Sequence, residues 1–417
     1  MIVFIHGGGF TSESPNRADY RGSEIAKKGV IYVSIGYRLG IFGYLAHPDM
    51  TKESGHNASG NWGVLDQIAA LQWVQRNVAA FGGDPGKVTI VGHSAGSESV
   101  YTLQSSPLAH GLFAKASGWS GADLPPGGRP PRTLAESEPD GVKLQQALKV
   151  NSVAEMRLVP WDRILATVAD PASGLGGLQA RPIVDGYVLT DVPEKIFKDG
   201  KQNDVPILVS STNADLGSNA QFAQVKTLDD FHKAAQSNFG DAVDKFLKLF
   251  PASTDAEAVQ QAQFVAANQG FGVANRDWAR TQVMSGKQPA YLVQFRLARP
   301  YRDDVQWVGA KPADRGAFHG SDIAFWLGTY SLGGALSNTL RWTDWDKELS
   351  AEMDDALVAF AKTGNPSTSA LKFPRYDAND EQRMILGDKV WIEKMDTEKI
   401  EFLRAHAQTR PQPAAGR

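Results

Sequence analysis

The sequence predicts an α/β protein with a mostly parallel central sheet and helices on both of its faces. Residues 30–35 form a continuous apolar run, which is typical of a parallel strand buried on both sides. Residues 64–81 carry apolar side chains at helical spacing and are followed by a Gly-Gly-Asp-Pro turn. The first hundred residues therefore indicate strand, strand, helix, strand and helix, which is the alternation of an α/β fold.

Further elements follow in order along the chain. The Gly-, Asn-, Ser- and Pro-containing residues 46–62 predict a loop. Helical patterns dominate residues 134–180 and 228–285, and another helix is predicted over 351–363. The other predicted strands cover residues 2–5, 88–91, 113–121, 205–210, 290–295 and 383–386.

Composition narrows the class of protein. The 417 residues are 42% hydrophobic and 21% charged, which is ordinary for a globular protein. A net charge of −3 offers no electrostatic basis for nucleic-acid binding, and no apolar run approaches the ~18 residues of a transmembrane segment. The absence of cysteine excludes disulfides but does not identify a compartment. No histidine pair or acidic cluster has metal-ligand spacing, so no cofactor is predicted.

The stretch Gly92-His93-Ser94-Ala95-Gly96 carries the main chemical signal. A Gly-x-Ser-x-Gly pattern alone could be a flexible polar loop. Here it follows a β-favouring run and precedes residues that can continue as a helix, which is the context of a nucleophile elbow. Such a turn exposes the Ser94 hydroxyl above the carboxyl end of the sheet, and the Ala95 amide would face an oxyanion on the substrate.

A second motif that is typical of serine-dependent catalysis lies at the start of the chain. His6-Gly7-Gly8-Gly9 directly follows a predicted strand and matches a His-Gly-Gly-Gly oxyanion loop. Gly8 and Gly9 are therefore expected to donate N–H groups to an oxyanion, with Ala95 as the third donor. The loop is not interpreted as a phosphate cradle, because no Lys-Ser or Lys-Thr follows it.

With these two motifs the chain resembles the type-B carboxylesterases, in the para-nitrobenzyl esterase and cholinesterase-like branch. The resemblance implies an α/β-hydrolase fold and a serine esterase activity on small-molecule esters. It extends over nearly the whole chain, and its further motifs are Asn61 to Gln67, Phe81 to Pro85, Pro182 to Gly186, His319 to Ile323 and Phe360 to Pro366.

Three features depart from the family pattern. Family members usually carry a further segment before the oxyanion loop, so the chain is expected to be N-terminally truncated relative to them. The residue before the nucleophile is usually Glu, and here it is His93. The family pattern Asn-x-Asp-Glu-Gly reads Asn-Ala-Asp-Leu-Gly here, with Leu216 where a Glu normally orients the catalytic histidine.

His319 is the candidate general base, because the resemblance places the catalytic histidine in its His-Gly-Ser-Asp motif. His93 adjoins Ser94, but successive residues of an elbow point in different directions, so His93 is expected at the floor of the pocket. His6 is expected to be a structural hydrogen-bonding residue of the oxyanion loop. The remaining histidines are expected at the surface, namely His47, His56, His110, His232 and His406.

Asp215 is the candidate for the acid of the triad, since leucine at position 216 cannot accept a hydrogen bond from imidazole. A small shift of the loop would have to bring the shorter Asp215 to the histidine. The competing interpretation is that Asp215 only stabilises its loop. Asp322 and Asp185 are further candidates.

All 417 residues are interpreted as one domain with helical insertions around 134–180 and 228–285. The first insertion is expected over the active-site face, with ordinary packing behind the sheet as the alternative. The favoured function is hydrolysis of carboxylic esters through an acyl-enzyme on Ser94, with His319 as general base. The alternative is a catalytically impaired binding protein that keeps the hydrolase fold. The natural ester and the oligomeric state are not determined by the sequence.

Overall fold

An eight-stranded sheet forms the centre of the protein. The computed structural model describes residues 1–122, 124, 131–176, 178, 180–215, 220–306, 316–331 and 337–406. The strands lie in the order β2-β1-β3-β4-β5-β6-β7-β8, and all neighbours are parallel except β7 and β8. The strands are β1 Ile2–Ile5, β2 Tyr32–Ile35, β3 Thr89–His93, β4 Lys115–Trp119, β5 Ile207–Thr212, β6 Ala290–Phe295, β7 Gln382–Leu386 and β8 Val390–Lys394.

Helices connect the strands and cover both faces of the sheet. The α-helices are α1 Ser23–Lys27, α2 Gly40–Tyr44, α3 Pro48–Glu53, α4 Trp62–Asn77, α5 Ala95–Ser105, α6 Leu134–Leu148, α7 Val153–Met156, α8 Trp161–Ala169, α9 Pro193–Lys198, α10 Ala220–Ala223, α11 Leu228–Phe239, α12 Val243–Leu249, α13 Asp255–Asn268, α14 Phe271–Ser285, α15 Ile323–Trp326, α16 Asp344–Thr363 and α17 Thr397–Ala405. Within these described segments, no helix is both long and apolar enough to cross a bilayer.

The first strand explains why the apolar runs are continuous. Val3 and Ile5 join the core on one face, which α4, α5 and α14 also line. Ile2 and Phe4 point to the other face and join the core that contains the buried side of α16. Successive side chains of a strand alternate between the two faces of the sheet. Since both faces are covered here, every residue of β1 has to be apolar.

Two smaller clusters of helices pack outside the sheet. Helices α10–α13 and α17 share a phenylalanine-rich core that includes Phe231, Phe246 and Phe402. Helices α6–α8 form another core with Leu45, which follows α2. The division of the chain into one domain with helical insertions at 134–180 and 228–285 stays our proposal.

Two sequence interpretations are wrong, and one strand was missed. Residues 46–62 were expected to be a loop, but they contain α3, which starts with Pro48 at its first position and with the His47 ring accepting the Asp49 N–H. Proline is favourable there because the first helical N–H has no partner anyway. His47 is buried rather than exposed, and its Nε2 hydrogen-bonds Gln145. Strand β8 was not anticipated; its side chains are only partly buried or exposed because it lies at the sheet edge.

Candidate active site

Ser94 occupies a strained turn between β3 and α5. Its φ of 57° and ψ of −124° fall outside the regions that non-glycine residues normally adopt. The Ser94 N–H donates to the Trp119 carbonyl over 2.8 Å, and the Ser94 carbonyl accepts the Glu98 N–H over 2.9 Å. Such strain costs about 1–3 kcal/mol and persists where surrounding structure imposes it, which is common at functional sites.

The two motif glycines are required by close backbone packing. A Cβ on Gly92 would lie 2.1 Å from the Gly96 carbonyl oxygen, and one on Gly96 would lie 2.0 Å from the carbonyl oxygen of Ile5. Neither neighbour is a flexible side chain that can move away. The Gly-x-Ser-x-Gly pattern therefore holds the start of α5 directly against β1 and β3.

The glycine loop after β1 runs beside the serine. A Cβ built on Gly7 would lie 3.0 Å from the Ser94 Cβ, and Gly8 and Gly9 have φ of 96° and 61°. Within the residues that the structure describes, the N–H groups of Gly8, Gly9 and Ala95 donate to no other group. Three free donors next to a serine are what stabilisation of an oxyanion requires.

Aromatic packing holds this loop in place. The Tyr37 hydroxyl donates to the His6 carbonyl over 2.9 Å, and the two rings stack with their centroids 4.5 Å apart. Phe10 is fully buried at a φ of 62° and packs edge-on against Tyr44. The His6 ring bonds the Gly7 carbonyl through Nδ1, a local contact within the loop.

His319 is brought to the end of β5 by pairing between two loops. The N–H of Ala214 donates to the Ala317 carbonyl over 3.0 Å, and Ala214 forms a parallel bridge with Phe318. The Asn213 side chain accepts the Ala317 N–H over 3.2 Å. The next residue of each loop, Asp215 and His319, therefore lies at the same point of the site.

The His319 imidazole and the Asp215 carboxylate form a short hydrogen bond. Nδ1 of His319 lies 2.5 Å from Oδ1 of Asp215, and Oδ2 of Asp215 accepts the Thr212 N–H over 3.1 Å. Burial alone would lower the pKa of His319, but the negative charge and hydrogen bond of Asp215 raise it above its ordinary value. Leu216, the departure from the family pattern, lies outside the described residues.

The other two candidate carboxylates make no hydrogen bond to His319 within the described ranges. Oδ1 of Asp185 accepts the backbone N–H groups of the turn over Tyr187–Leu189. Asp322 is fully buried, and burial followed by repulsion from Asp215 raises its pKa to about 7. Its carboxyl oxygens have no hydrogen-bond partner in the described part of the chain.

His93 lies against His319 in the interior of the protein. Their ring centroids are 4.6 Å apart, and the side chain of His93 is buried. Neither ring nitrogen of His93 has a hydrogen-bond partner among the residues described. Burial first, then repulsion from a charged His319, lowers the pKa of His93 well below its ordinary value, so this ring is neutral near pH 7.

Two supporting residues were not found from the sequence. Phe271, at the start of α14, stacks on the His319 ring with centroids 5.9 Å apart. The Arg299 guanidinium donates to the carbonyls of Gly320 and Ser321 over 2.9 and 3.3 Å, which holds the loop after the histidine. Neither residue lies in a recognisable motif, because both act only through tertiary contacts.

A parallel sheet with a strained serine elbow, a glycine loop and a histidine–carboxylate pair defines the α/β-hydrolase class. Solved structures agree: a para-nitrobenzyl esterase shares 28% identity and a TM-score of 0.74 over 96% of this chain and 79% of that chain. A thermophilic para-nitrobenzyl esterase gives the same identity and TM-score, with 80% of its chain covered.

The chain belongs to the carboxylesterase family, whose model matches residues 1–403. It is 32% identical over 392 residues to the fumonisin B1 esterase of Sphingopyxis macrogoltabida, covering 91% of this chain and 68% of that protein. It is 31% identical over 410 residues to the para-nitrobenzyl esterase of Bacillus subtilis, covering 94% and 76%. The protein is accordingly a carboxylic ester hydrolase.

Proposed function

We propose that the protein hydrolyses esters of small molecules through an acyl-enzyme on Ser94. His319 accepts the hydroxyl proton as Ser94 attacks the ester carbonyl, and then donates it to the leaving alcohol. A water molecule then attacks the acyl group while His319 takes one of its protons. The carboxylic acid is released and ionises in solvent, and Ser94 regains its proton from the imidazole.

The observation that carries the proposal is the 2.5 Å contact between His319 and Asp215. It supplies the carboxylate that the family pattern would place at position 216. A hydrogen bond to Nδ1 leaves Nε2 free of a proton in the neutral ring, which is the form a general base needs. Oδ2 of Asp215 is anchored by a backbone N–H, so the carboxylate is held in the orientation that the imidazole requires.

The oxyanion would be stabilised by the N–H groups of Gly8, Gly9 and Ala95. Their lack of other acceptors in the described residues supports this role. Removal of one donor from such a site typically costs about 2.7–4 kcal/mol of transition-state stabilisation. The relatives named as a fumonisin B1 esterase and a para-nitrobenzyl esterase support ester hydrolysis as the reaction.

The test is hydrolysis of para-nitrophenyl acetate by the full chain and by three variants. We expect Ser94→Ala to abolish turnover, and Asp215→Asn to lower kcat by a factor on the order of 10⁴, as loss of the orienting carboxylate does elsewhere. Asp191→Asn removes a partly exposed carboxylate that pairs with Lys195 and serves as the matched control.

Full activity in folded Asp215→Asn would remove Asp215 from the proposed mechanism and direct attention to Asp322. A burst of para-nitrophenol equal to the enzyme concentration would support the acyl-enzyme. Turnover that survives in Ser94→Ala would contradict the whole assignment.

A further inference from the structure

A pocket outside the candidate active site lies between α2–α4 and α6–α8. Its volume is about 440 Å³, within the range typical of small-molecule sites. Its lining side chains are apolar except for Arg38 and Arg157. None of the lining residues belongs to the Gly7–Phe10 loop, to the serine elbow or to the Asp215–His319 pair, so this pocket is separate from the candidate active site.

The two arginines at the pocket are already neutralised by carboxylates. Arg38 makes two 2.8 Å hydrogen bonds to Asp66, through Nε and Nη2. Arg157 lies 2.7 Å from Glu53. Among the described lining residues a charged ligand would therefore find no unpaired opposite charge, whereas an uncharged ligand would leave both ion pairs intact.

The mouth of the pocket exposes apolar surface that a ligand would cover. Trp161 and Phe42 line the pocket with 69% and 40% of their surface exposed. Ile164, one turn after Trp161 on α8, lines the same pocket but is buried. Two methionines, Met50 and Met156, also line it, and their flexible thioethers adapt to ligands of different shape.

We infer that this pocket is a second binding site, which takes an uncharged, largely apolar small molecule of two or three rings or equivalent hydrocarbon bulk. The size follows from the volume, because a dry cavity of about 150 Å³ accepts one benzene. The uncharged character follows from the paired arginines. The inference does not depend on the mechanism proposed for ester hydrolysis.

The test uses N-phenyl-1-naphthylamine, a neutral fluorescent molecule of three rings, titrated into the full-length protein. We expect saturable binding that is at least tenfold weaker in Trp161→Glu and in Phe42→Glu, which place a charge at the mouth. Leu158→Glu is the matched control, since Leu158 is 84% exposed near α8 but does not line the pocket. Its affinity should equal that of the wild type, and melting temperatures confirm that each variant folds.

Three results would overturn the inference. The first is the absence of saturable binding. Equal affinity of the wild type and both pocket variants would count in the same way, because the probe would then bind elsewhere. The second is tighter binding of the anionic 1-anilinonaphthalene-8-sulfonate than of the neutral probe, which would refute the uncharged class. The third is a dimer in solution that Trp161→Glu converts to a monomer, since this surface would then be an interface between copies.

Discussion

Two histidine rings lie side by side at the active site, and their surroundings affect their pKa values in opposite directions. His319 has an acidic partner at hydrogen-bond distance, and its pKa is raised despite burial. Burial first, and then repulsion from the neighbouring His319 ring, lowers the pKa of His93 well below the ordinary value. The pair can therefore carry one positive charge, which resides on His319.

The raised pKa of His319 predicts the acidic limb of the activity profile. Only the neutral imidazole can accept the serine proton, so kcat/KM should rise with pH through the pKa of His319. Because this pKa lies above the ordinary value of about 6.5, the midpoint of the rise should also lie above it. In Asp215→Asn, burial is no longer offset by the carboxylate, and the midpoint should move to lower pH. A midpoint at the same pH in both proteins, measured with para-nitrophenyl acetate, would contradict the assignment.

The lowered pKa of His93 predicts a loss of stability in acid. Below about pH 6.5 the unfolded histidine binds a proton that the buried ring does not, so the unfolded state gains stability as pH falls. The effect reaches at most about 1.4 kcal/mol per pH unit, between the unfolded pKa and the lower folded one. His93→Gln should therefore lose less stability between pH 7.5 and pH 5.5 than the wild type, by urea unfolding. His232→Gln, at an exposed position, is the control and should follow the wild type.

At the scale of elements, the elbow depends on contact between α5, β1 and β3. Gly96→Ala places a Cβ 2.0 Å from the Ile5 carbonyl oxygen, so helix and strand must separate. We expect a loss of about 3 kcal/mol or more in the free energy of unfolding, together with loss of esterase activity because Ser94 and the glycine loop move apart. Gly387→Ala is the control: its Cβ would make only ordinary contacts, the nearest at 3.5 Å. If Gly96→Ala were as stable as the wild type in chemical denaturation, the close contact between α5 and β1 would not be required.

At the same scale, pairing between two loops positions the Asp215 carboxylate and the His319 imidazole. Residues 213–215 follow β5, and residues 316–319 come from a distant part of the chain, yet hydrogen bonds join them beside the sheet. The pairing fixes the relative positions of the carboxylate and the imidazole before any substrate binds. Arg299 then holds the following turn through the carbonyls of Gly320 and Ser321.

For the whole molecule, a buried ion-pair network joins α14, α17 and the segment before β7. Arg276 is 1% exposed, hydrogen-bonds both carboxylate oxygens of Glu381 and also contacts Asp277 and Glu401. The negative partners hold the pKa of Arg276 above its ordinary value despite burial. The network thus connects α17 to the segment before β7 through Arg276, whose pair with Glu381 is buried and whose pair with Glu401 is partly open to solvent.

Arg276→Met should destabilise the protein strongly, because it removes two hydrogen bonds from the buried Glu381 carboxylate and leaves Arg280 as the cation beside it. Removal of one partner from a buried pair typically costs about 3–5 kcal/mol. Lys233→Met removes the exposed partner of Asp229 and should leave the melting temperature unchanged within error. Equal melting temperatures of Arg276→Met and the wild type would indicate that the network adds no net stability.

The sequence alone determined the features that are local in the chain. Apolar runs predicted the buried strands because both faces of the sheet are covered, and β6 has the predicted bounds of 290–295. The two glycine motifs predicted the elbow and the neighbouring loop because their backbone geometry depends on a few adjacent residues. Pro48 was misleading, since the same residue ends a helix or begins one depending on its position.

Only the tertiary structure decided which carboxylate meets which histidine. Asp215 and His319 are 104 positions apart, and the sequence left Asp322 and Asp185 as alternatives. Which carboxylate contacts His319 depends on the loop pairing and on the backbone N–H groups that donate to Asp185. Neither feature can be recognised in a local stretch of sequence. The pocket beside α8 could not be predicted from the sequence either. Separate helices form its walls, and the sequence of each helix alone indicates only an ordinary amphipathic helix. Local patterns thus predict elements, whereas contacts between distant residues decide the chemistry that those elements support.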